Sequence, residues 1–266
     1  MSGAPSGYAE NVLAQPRTGV PFLESFRVVH GPPGLLGRFF ISADERLRER
    51  GMTLQFIPFD ELTGLSKRNA DSWGSFNPMF DPGFADIPKG SMCLAAFDKH
   101  GSIKICICGK PFDARTESFA DLVNSGRFAC IRRDRNVDQI ETQITAPFAY
   151  ELKGLLSYAG AVWVHPDERG DRYASIFVHI VNACMMTLWD PAHLLGSVPN
   201  TTMGTGLYQR YGYSHSISPL IITAAGKQVA DLAIIHISAH DFIAGLAIYL
   251  DEIWPKFDAA VASRNR

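Results

Sequence analysis

The chain has 266 residues, of which 46% are hydrophobic and 20% charged, and its formal net charge is −2. This composition is typical of a folded globular protein and excludes an intrinsically disordered chain. Because there is no excess of basic residues, it predicts small-molecule partners and argues against nucleic acid.

The sequence predicts neither a membrane span nor disulfides. Its apolar stretches are broken before the ~20 residues that a span needs, and residues 1–19 have no apolar signal core. The five cysteines are an odd set without a Cys-x-x-Cys pair, and are interpreted as buried reduced thiols. We therefore expect a cytoplasmic protein that does not bind a membrane.

Residues 1–51 are predicted to form an N-terminal arm and one short helix. Pro and Gly recur up to Gly34, and Ser42 and Glu45 have the spacing of a capping box before a charged turn that stops at Gly51. Residues 52–266 are predicted to form the functional domain, with an insert at about 110–151.

The next elements follow from apolar periodicity and turn residues. A strand is predicted over 54–59, followed by a helix that Asp60 can cap. Two apolar runs, 91–97 and 102–109, flank a four-residue loop and predict an antiparallel hairpin. A short helix is predicted over 116–124 inside the insert.

A βαβ unit is predicted at the centre of the domain. The apolar run 155–164 predicts a buried strand, Pro166 a turn, and the periodicity of 171–189 a long helix before a strand at 194–198. The remaining predicted elements are a short helix over 201–211, a hairpin of 217–223 with 229–237, and a terminal helix that begins at Ser238 and carries apolar positions as far as Phe257. The fold class is therefore α+β.

The segment that joins this strand to the long helix suits an anion, because backbone N–H groups at a helix start attract negative charge. It resembles motif A of the Gcn5-related N-acetyltransferases, in which a strand, a turn and a helix hold the pyrophosphate of coenzyme A. The matching residues are Val164, Pro166, Arg169, Gly170 and Ala174. Arg172 stands where the family has its first glycine, although a guanidinium can itself bind phosphate.

A second segment, residues 201–213, resembles the Asn-x-x-Ala-x-x-Leu-Tyr-x-Arg-x-Gly-Phe stretch of the same family. The identical residues are Leu207, Tyr208, Arg210 and Gly212. Gly204 takes the place of the small residue, Tyr213 that of Phe, and Thr201 that of Asn unless Asn200 serves. The two motifs occur in the family's order and spacing, and the resemblance covers residues 52–238.

The resemblance implies a mixed, mostly antiparallel central sheet with flanking helices, and an acyltransferase activity. The donor would be acetyl-CoA, the acceptor an amine of a small molecule or peptide, and no metal is implied. Tyr208 would be catalytic, giving a proton to the departing thiolate, and the backbone of 162–164 would supply the oxyanion donor. The implied cofactor-binding residues are Val162, Trp163, Val164, Arg169, Gly170, Asp171, Arg172, Tyr173, Ala174, Thr201 and Gly204.

Several other residues have two readings. The carboxylates considered as a general base are Glu151, Asp86 and Glu117, and none is preferred. Arg132, Arg133 and Arg135 are interpreted as a solvated group that a phosphate or an acidic substrate would also suit. The aromatic segment of Trp73, Phe76, Phe80 and Phe84 has the composition of a binding loop or of a loop packed on the core. His236 and His240 have the spacing of a metal pair only if one helix holds both, and a strand-to-helix junction is expected between them.

Two functions remain open at this point. One is the N-acyltransferase, for which Tyr208 has a packing role as its alternative. The other is a non-catalytic protein of the same fold that binds acyl-CoA or another ligand as a sensor or scaffold, and Arg172 favours it. The acceptor, the acyl length and the oligomeric state stay open, and a homodimer is compatible with the sequence.

Overall fold

The computed structural model describes residues 15–74, 76–131, 140–170 and 172–253. The strands are β1 Thr53–Phe56, β2 Met92–Phe97, β3 Ile103–Ala114, β4 Ile140–Ile144, β5 Gly154–Val164, β6 His193–Pro199, β7 His215–Ala224 and β8 Lys227–Ser238. The α-helices are α1 Pro33–Glu49, α2 Phe59–Arg68, α3 Ala70–Trp73, α4 Phe119–Asn124, α5 Tyr173–Trp189, α6 Leu207–Arg210 and α7 Ala239–Ile248.

The strands form one mixed sheet in the order β1-β2-β3-β5-β6-β8-β7-β4. Within it, β5 and β6 are parallel, and α5 connects them as a βαβ crossover. The other neighbouring strands pair antiparallel. The predicted α+β class, with a mostly antiparallel sheet and a central βαβ unit, is confirmed.

Each face of the sheet carries its own apolar core. On one face α5 packs with α1 and α7, and nearly every side chain of α5 is buried. The other face is covered by α2, by α4 and by the segment of Met79 and Phe80. Because α5 is fixed along its length, its first turn is held close to the end of β5.

Three elements differ from the sequence prediction. Helix α1 begins at Pro33, since proline is well tolerated in the first turn of a helix. The prediction that a short helix starts near Ser42 was therefore wrong, although the end at Gly51, with φ of 72°, was right. Strand β3 extends five residues into the expected insert and pairs there with β5, and β4 was not predicted.

The chain's other predicted features have a clear position. His236 lies in β8 and His240 in α7, so the junction expected between them is present. Cys93, Cys106, Cys108 and Cys184 are buried free thiols, and Cys130 is half-buried and free. Within the described ranges, every helix is too short or too polar to cross a membrane.

Candidate functional site between strands β5 and β6

Strands β5 and β6 separate at one end. Their pairing runs from Leu156–His193 to Ala159–Gly196 and stops there, although both strands continue. At the same point β5 has a bulge, because Cys106 and Cys108 of β3 face Trp163 and Gly160. Bulges re-aim the backbone next to binding sites. The opening therefore lies at the carboxyl ends of two parallel strands, where ligands of α/β units bind.

A cavity of about 380 Å³ fills this opening, and we call it the splay cavity. Its lining residues are Trp73, Asn77, Tyr158, Ala159, Gly160, Ala161, Val162, Val178, Gly196, Ser197, Val198, Pro199, Leu207, Tyr211, Tyr213 and Ile235. Ala161 is in the left-handed region with φ of 53°, an uncommon conformation for a residue with a Cβ atom. The bulge is thus built into the wall of the cavity.

One wall of the splay cavity is the end of helix α3, which is tied to the end of β5. Trp73 stacks on Trp163 with 5.2 Å between the ring centroids. The Trp163 indole N–H donates to Ser72 Oγ at 3.3 Å, and the Arg169 guanidinium donates to the carbonyl oxygens of Ser72 at 2.5 Å and Val164 at 3.1 Å. The end of α3 is therefore held in position by Trp163 and Arg169, two of the predicted site residues.

The hydroxyl groups of the cavity are ordered by hydrogen bonds. Tyr158 Oη lies 2.7 Å from Ser197 Oγ, and burial raises the pKa of the Tyr158 phenol. Tyr213 Oη donates to the carbonyl of Leu195 at 3.3 Å and bonds with the Asn182 amide, and burial raises its pKa as well. A Cβ atom on Gly196 would lie 3.2 Å from Tyr213 Oη, so this position leaves little room for a side chain.

A second cavity, of about 600 Å³, lies between α5, α6 and α7, and we call it the helix cavity. At one end it is lined by Arg172, Ser175 and Arg210, beside the first turn of α5. Ser175 N donates to Arg172 O at 3.0 Å, so the N–H groups of Tyr173 and Ala174 precede the first bond within the helix. This end therefore brings Arg172 and Arg210 next to the positive end of a 17-residue helix, and the Arg210 guanidinium donates to the carbonyl oxygen of Thr205 at 2.9 Å.

His179 lies deeper in the helix cavity and is neutral. Its Nδ1 is 2.8 Å from the carbonyl of Ser175, its ring stacks on Tyr249 at 4.0 Å, and burial lowers its pKa to about 4. A Cβ atom on Gly212, where φ is 83°, would lie 2.7 Å from His179 Nε2. Gly212 thus allows the segment after α6 to approach α5 closely.

The two cavities share Leu207 and Tyr211 in their linings. A thioester of coenzyme A needs a cationic site for phosphates and a narrower apolar channel for the acyl end. The mouth of the helix cavity offers the first through Arg172, Arg210 and the start of α5, and the splay cavity offers the second. The two linings therefore suit the two ends of an acyl-CoA.

The predicted site residues are divided between these cavities and other positions. Val162 lines the splay cavity, and Arg172 and Ala174 line the helix cavity. Tyr173 is buried, and Val164 packs against the core. The residues found exposed are Arg169, Gly170, Thr201 and Gly204, and Asp171 lies outside the described residues.

The two tyrosines near α6 have different environments. Tyr208 is half-buried and packs against the core on the α5 side, and neither cavity has it in its lining. Tyr211 lines both cavities, and burial raises its pKa. The motif segment therefore borders both cavities through Leu207 and Tyr211, and the splay cavity also has Tyr158 and Ser197 in its lining, for which the sequence carries no motif.

The carboxylates considered as a base lie elsewhere. The side chain of Glu117 pairs with Arg127, and Glu151 and Asp86 are exposed. Neither described cavity has any of these three carboxylates in its lining. Arg132, Arg133 and Arg135 lie outside the described residues.

No protein-family model and no curated protein matches the chain. Among solved structures, an N-acyl amino acid synthase, FeeM, from uncultured soil microbes is 11% identical over 72% of this chain and 92% of its own, with a TM-score of 0.40. A ribosomal-protein-S5-alanine acetyltransferase from Vibrio fischeri is 9% identical over 72% and 95%, with a TM-score of 0.42. The spermidine/spermine N-acetyltransferase SpeG from Vibrio cholerae is 8% identical over 73% and 98%, with a TM-score of 0.43. TM-scores this low do not establish a shared activity.

Proposed function

We propose that the chain is a Gcn5-related acyltransferase that moves an acetyl or related acyl group from coenzyme A to an amine. The observation that carries this proposal is the separation of β5 and β6 beside the first turn of α5. That geometry puts a phosphate site and an acyl channel next to each other. The two motifs found in the sequence fall on this same place.

The donor is held by three parts of the chain. Arg172, Arg210 and the N–H groups at the start of α5 bind its phosphates. Leu207 and Tyr211 flank the arm that enters the splay cavity. The backbone at the Ala161 bulge faces the thioester, where an N–H group can stabilise negative charge on the carbonyl oxygen.

A tyrosine of this segment supplies the proton for the leaving sulfur. The sequence motif names Tyr208, and the cavity linings favour Tyr211. A phenol with a raised pKa keeps its proton at neutral pH and can donate it as the C–S bond breaks. We therefore propose Tyr211 as the acid and retain Tyr208 as the variant to compare with it.

The direct test is thermal unfolding with and without acetyl-CoA. A ligand at 100 times its Kd stabilises the native state by about 2.7 kcal/mol, so millimolar acetyl-CoA should raise Tm. Gly196→Val, whose side chain would crowd Tyr213 and Ile235 in the wall of the splay cavity, should abolish the rise in a variant that still unfolds cooperatively, whereas Gly37→Val, at an open position of α1, should retain it. The absence of a rise in the wild-type protein would overturn the proposal.

Turnover separates an enzyme from a sensor of the same fold. Release of free thiol from acetyl-CoA in the presence of amines should exceed the release without them. A protein that binds acetyl-CoA in the thermal assay and releases no thiol with any amine would support the non-catalytic alternative.

A further inference from the structure

The wall of the splay cavity is aromatic, apolar and hydroxylic in the described residues. Trp73, Tyr158 and Tyr211 supply aromatic rings, and Val162 and Pro199 supply apolar surface. The polar groups are the Ser197 hydroxyl, the Asn77 amide and the phenols. An alkylammonium ion placed against such a wall would lose its hydration without gaining a carboxylate, which is costly.

The ionisable groups of this wall are phenols that stay protonated at neutral pH, so the wall offers no base to an ammonium ion. Burial raises the pKa of Tyr158, Tyr211 and Tyr213, so all three phenols stay protonated. An amine attacks a thioester through its lone pair, and an ammonium ion has none. An acceptor that is already uncharged in water therefore suits this cavity better than one that must first lose a proton to the wall.

The size and shape of the wall agree with a one-ring acceptor. A cavity of about 150 Å³ holds a benzene ring, so 380 Å³ accommodates such a ring beside the acyl end of the donor. Trp73 is fixed on one face by Trp163 and contacts the Phe76 ring at 5.5 Å, so its position is set before a ligand arrives. Planar rings stack on such a surface favourably.

We propose that the acceptor is a weakly basic aromatic amine that enters the splay cavity uncharged from the side of Trp73. This inference rests on the proposed acyl transfer and names its substrate class. The amine nitrogen forms a bond to the thioester carbonyl carbon as the C–S bond breaks. The phenol gives its proton to the leaving sulfur. The phenolate that results takes the proton that the nitrogen loses, so atoms and charges balance.

The test compares aniline with benzylamine, which carry the same ring but differ in charge at pH 7. Aniline should be acetylated at least tenfold faster at pH 7, and its rate should stay flat between pH 6.5 and 8.5. The benzylamine rate should rise about tenfold per pH unit over that range, because only its neutral form reacts. A benzylamine rate equal to that of aniline at pH 7, with a flat profile, would overturn the inference.

Binding without the donor keeps this inference separate from the proposed function. Aniline should quench tryptophan fluorescence in the wild-type protein, and Trp73→Leu should weaken that binding at least tenfold. Phe148→Leu, which changes an exposed aromatic residue outside the cavity lining, should leave it unchanged. Failure of acetyl-CoA to bind would overturn the transferase, whereas tighter binding of benzylamine than of aniline at pH 7 would overturn the acceptor class.

A gain of function completes the test. Ser197→Asp would put a carboxylate beside Tyr158 Oη, at the place of the hydroxyl that now lies 2.7 Å away. This variant should bind benzylamine at least tenfold better than the wild-type protein and aniline less well. Unchanged selectivity in a variant that still shows the acetyl-CoA shift would mean that this wall does not select the acceptor.

Discussion

Strand β6 pairs to different extents with its two neighbours. β5 pairs with it over four positions and then diverges, whereas β8 pairs with it over seven, from His193 to Pro199. The parallel partner carries the bulge at Ala161, and the divergence opens the splay cavity. The antiparallel partner stays paired along all of β6 and continues the sheet to β7, so β6 borders the cavity on one edge only.

The buried polar groups on the two sides also differ. On the open side Tyr158 and Tyr213 have hydrogen-bond partners in Ser197 and Asn182. On the closed side, the two ring nitrogens of His236 are buried and find no hydrogen-bond partner in the part of the chain that the structure describes. A buried polar group lowers the stability of the folded state unless it is hydrogen-bonded. The phenols on the open side are therefore held in place by their partners, whereas His236 on the closed side destabilises the fold.

The largest expected effect is on the open side. Tyr211→Phe keeps the ring and removes the proton, so turnover should fall 10²–10⁴-fold, the range of general acid catalysis. Acetyl-CoA affinity should change little, because the ring still lines both cavities. Steady-state kinetics at saturating donor measure the loss, and calorimetric titration measures the affinity.

Tyr208→Phe is the matched control for this prediction. Because Tyr208 packs on the core outside both linings, its turnover should stay within a few fold of the wild-type value. The reverse ranking, with the larger loss in Tyr208→Phe, would return the acid role to the residue that the sequence motif names.

A smaller effect is expected on the closed side, at His236. Its ring lies between those of Phe148 at 5.0 Å and His215 at 5.1 Å, and burial, His215 and His193 together lower its pKa to about 4. The unfolded chain takes up a proton first as pH falls below about 6.5, so stability is lost from there down to about pH 4. One pKa unit is 1.36 kcal/mol, which gives a loss of about 2 kcal/mol between pH 7 and 5.

His236→Phe should remove that part of the loss and should stabilise the protein most near pH 5. Urea unfolding at pH 7 and 5 measures both changes, and His236→Leu checks that the larger phenyl ring is accommodated. A variant with the same pH dependence as the wild-type protein would mean that His236 does not titrate in this range.

The comparison of β5 with β8 also explains what the sequence could predict. The apolar run of β5, the periodicity of α5 and the turn at Pro166 are local signals, so the βαβ unit was predicted to within a few residues. The divergence of β5 from β6 depends on pairing between distant segments. The divergence is marked locally by the left-handed φ of Ala161. The sequence gives no sign of that conformation, because the residue there is alanine and not glycine.

The site residues follow the same division between local and distant information. The two motifs single out α6 and the start of α5, and the structure brings these elements into contact, since Ser175 Oγ donates to the carbonyl of Arg210. Which ring of that segment faces the cavity depends on how the chain leaves α6 at Gly212, and this required the structure. Ser197 and Tyr158 lie on neighbouring strands, 39 residues apart, and no spacing in the sequence joins them.

The smallest effect on stability is expected at Arg172, where stability and binding should change in opposite directions. Its φ of 58° is a conformation that glycine adopts freely and that costs other residues on the order of 1 kcal/mol. A glycine at this position would therefore relieve that cost. Arg172→Gly should stabilise the protein by about 1 kcal/mol, a rise in Tm of roughly 2–4 °C for a domain of this size.

The same substitution should weaken acetyl-CoA binding, because it removes a guanidinium from the mouth of the helix cavity. Charge-assisted hydrogen bonds contribute about 1.5–3 kcal/mol, which corresponds to a loss of affinity of about tenfold or more. Arg172→Ala separates the two effects, since it removes the charge and keeps the left-handed strain, so it should lose affinity without gaining stability. Calorimetric titration together with thermal unfolding of both variants gives the two quantities. Tighter acetyl-CoA binding by Arg172→Gly would mean that the arginine obstructs the phosphate site, and would favour the non-catalytic protein over the acyltransferase.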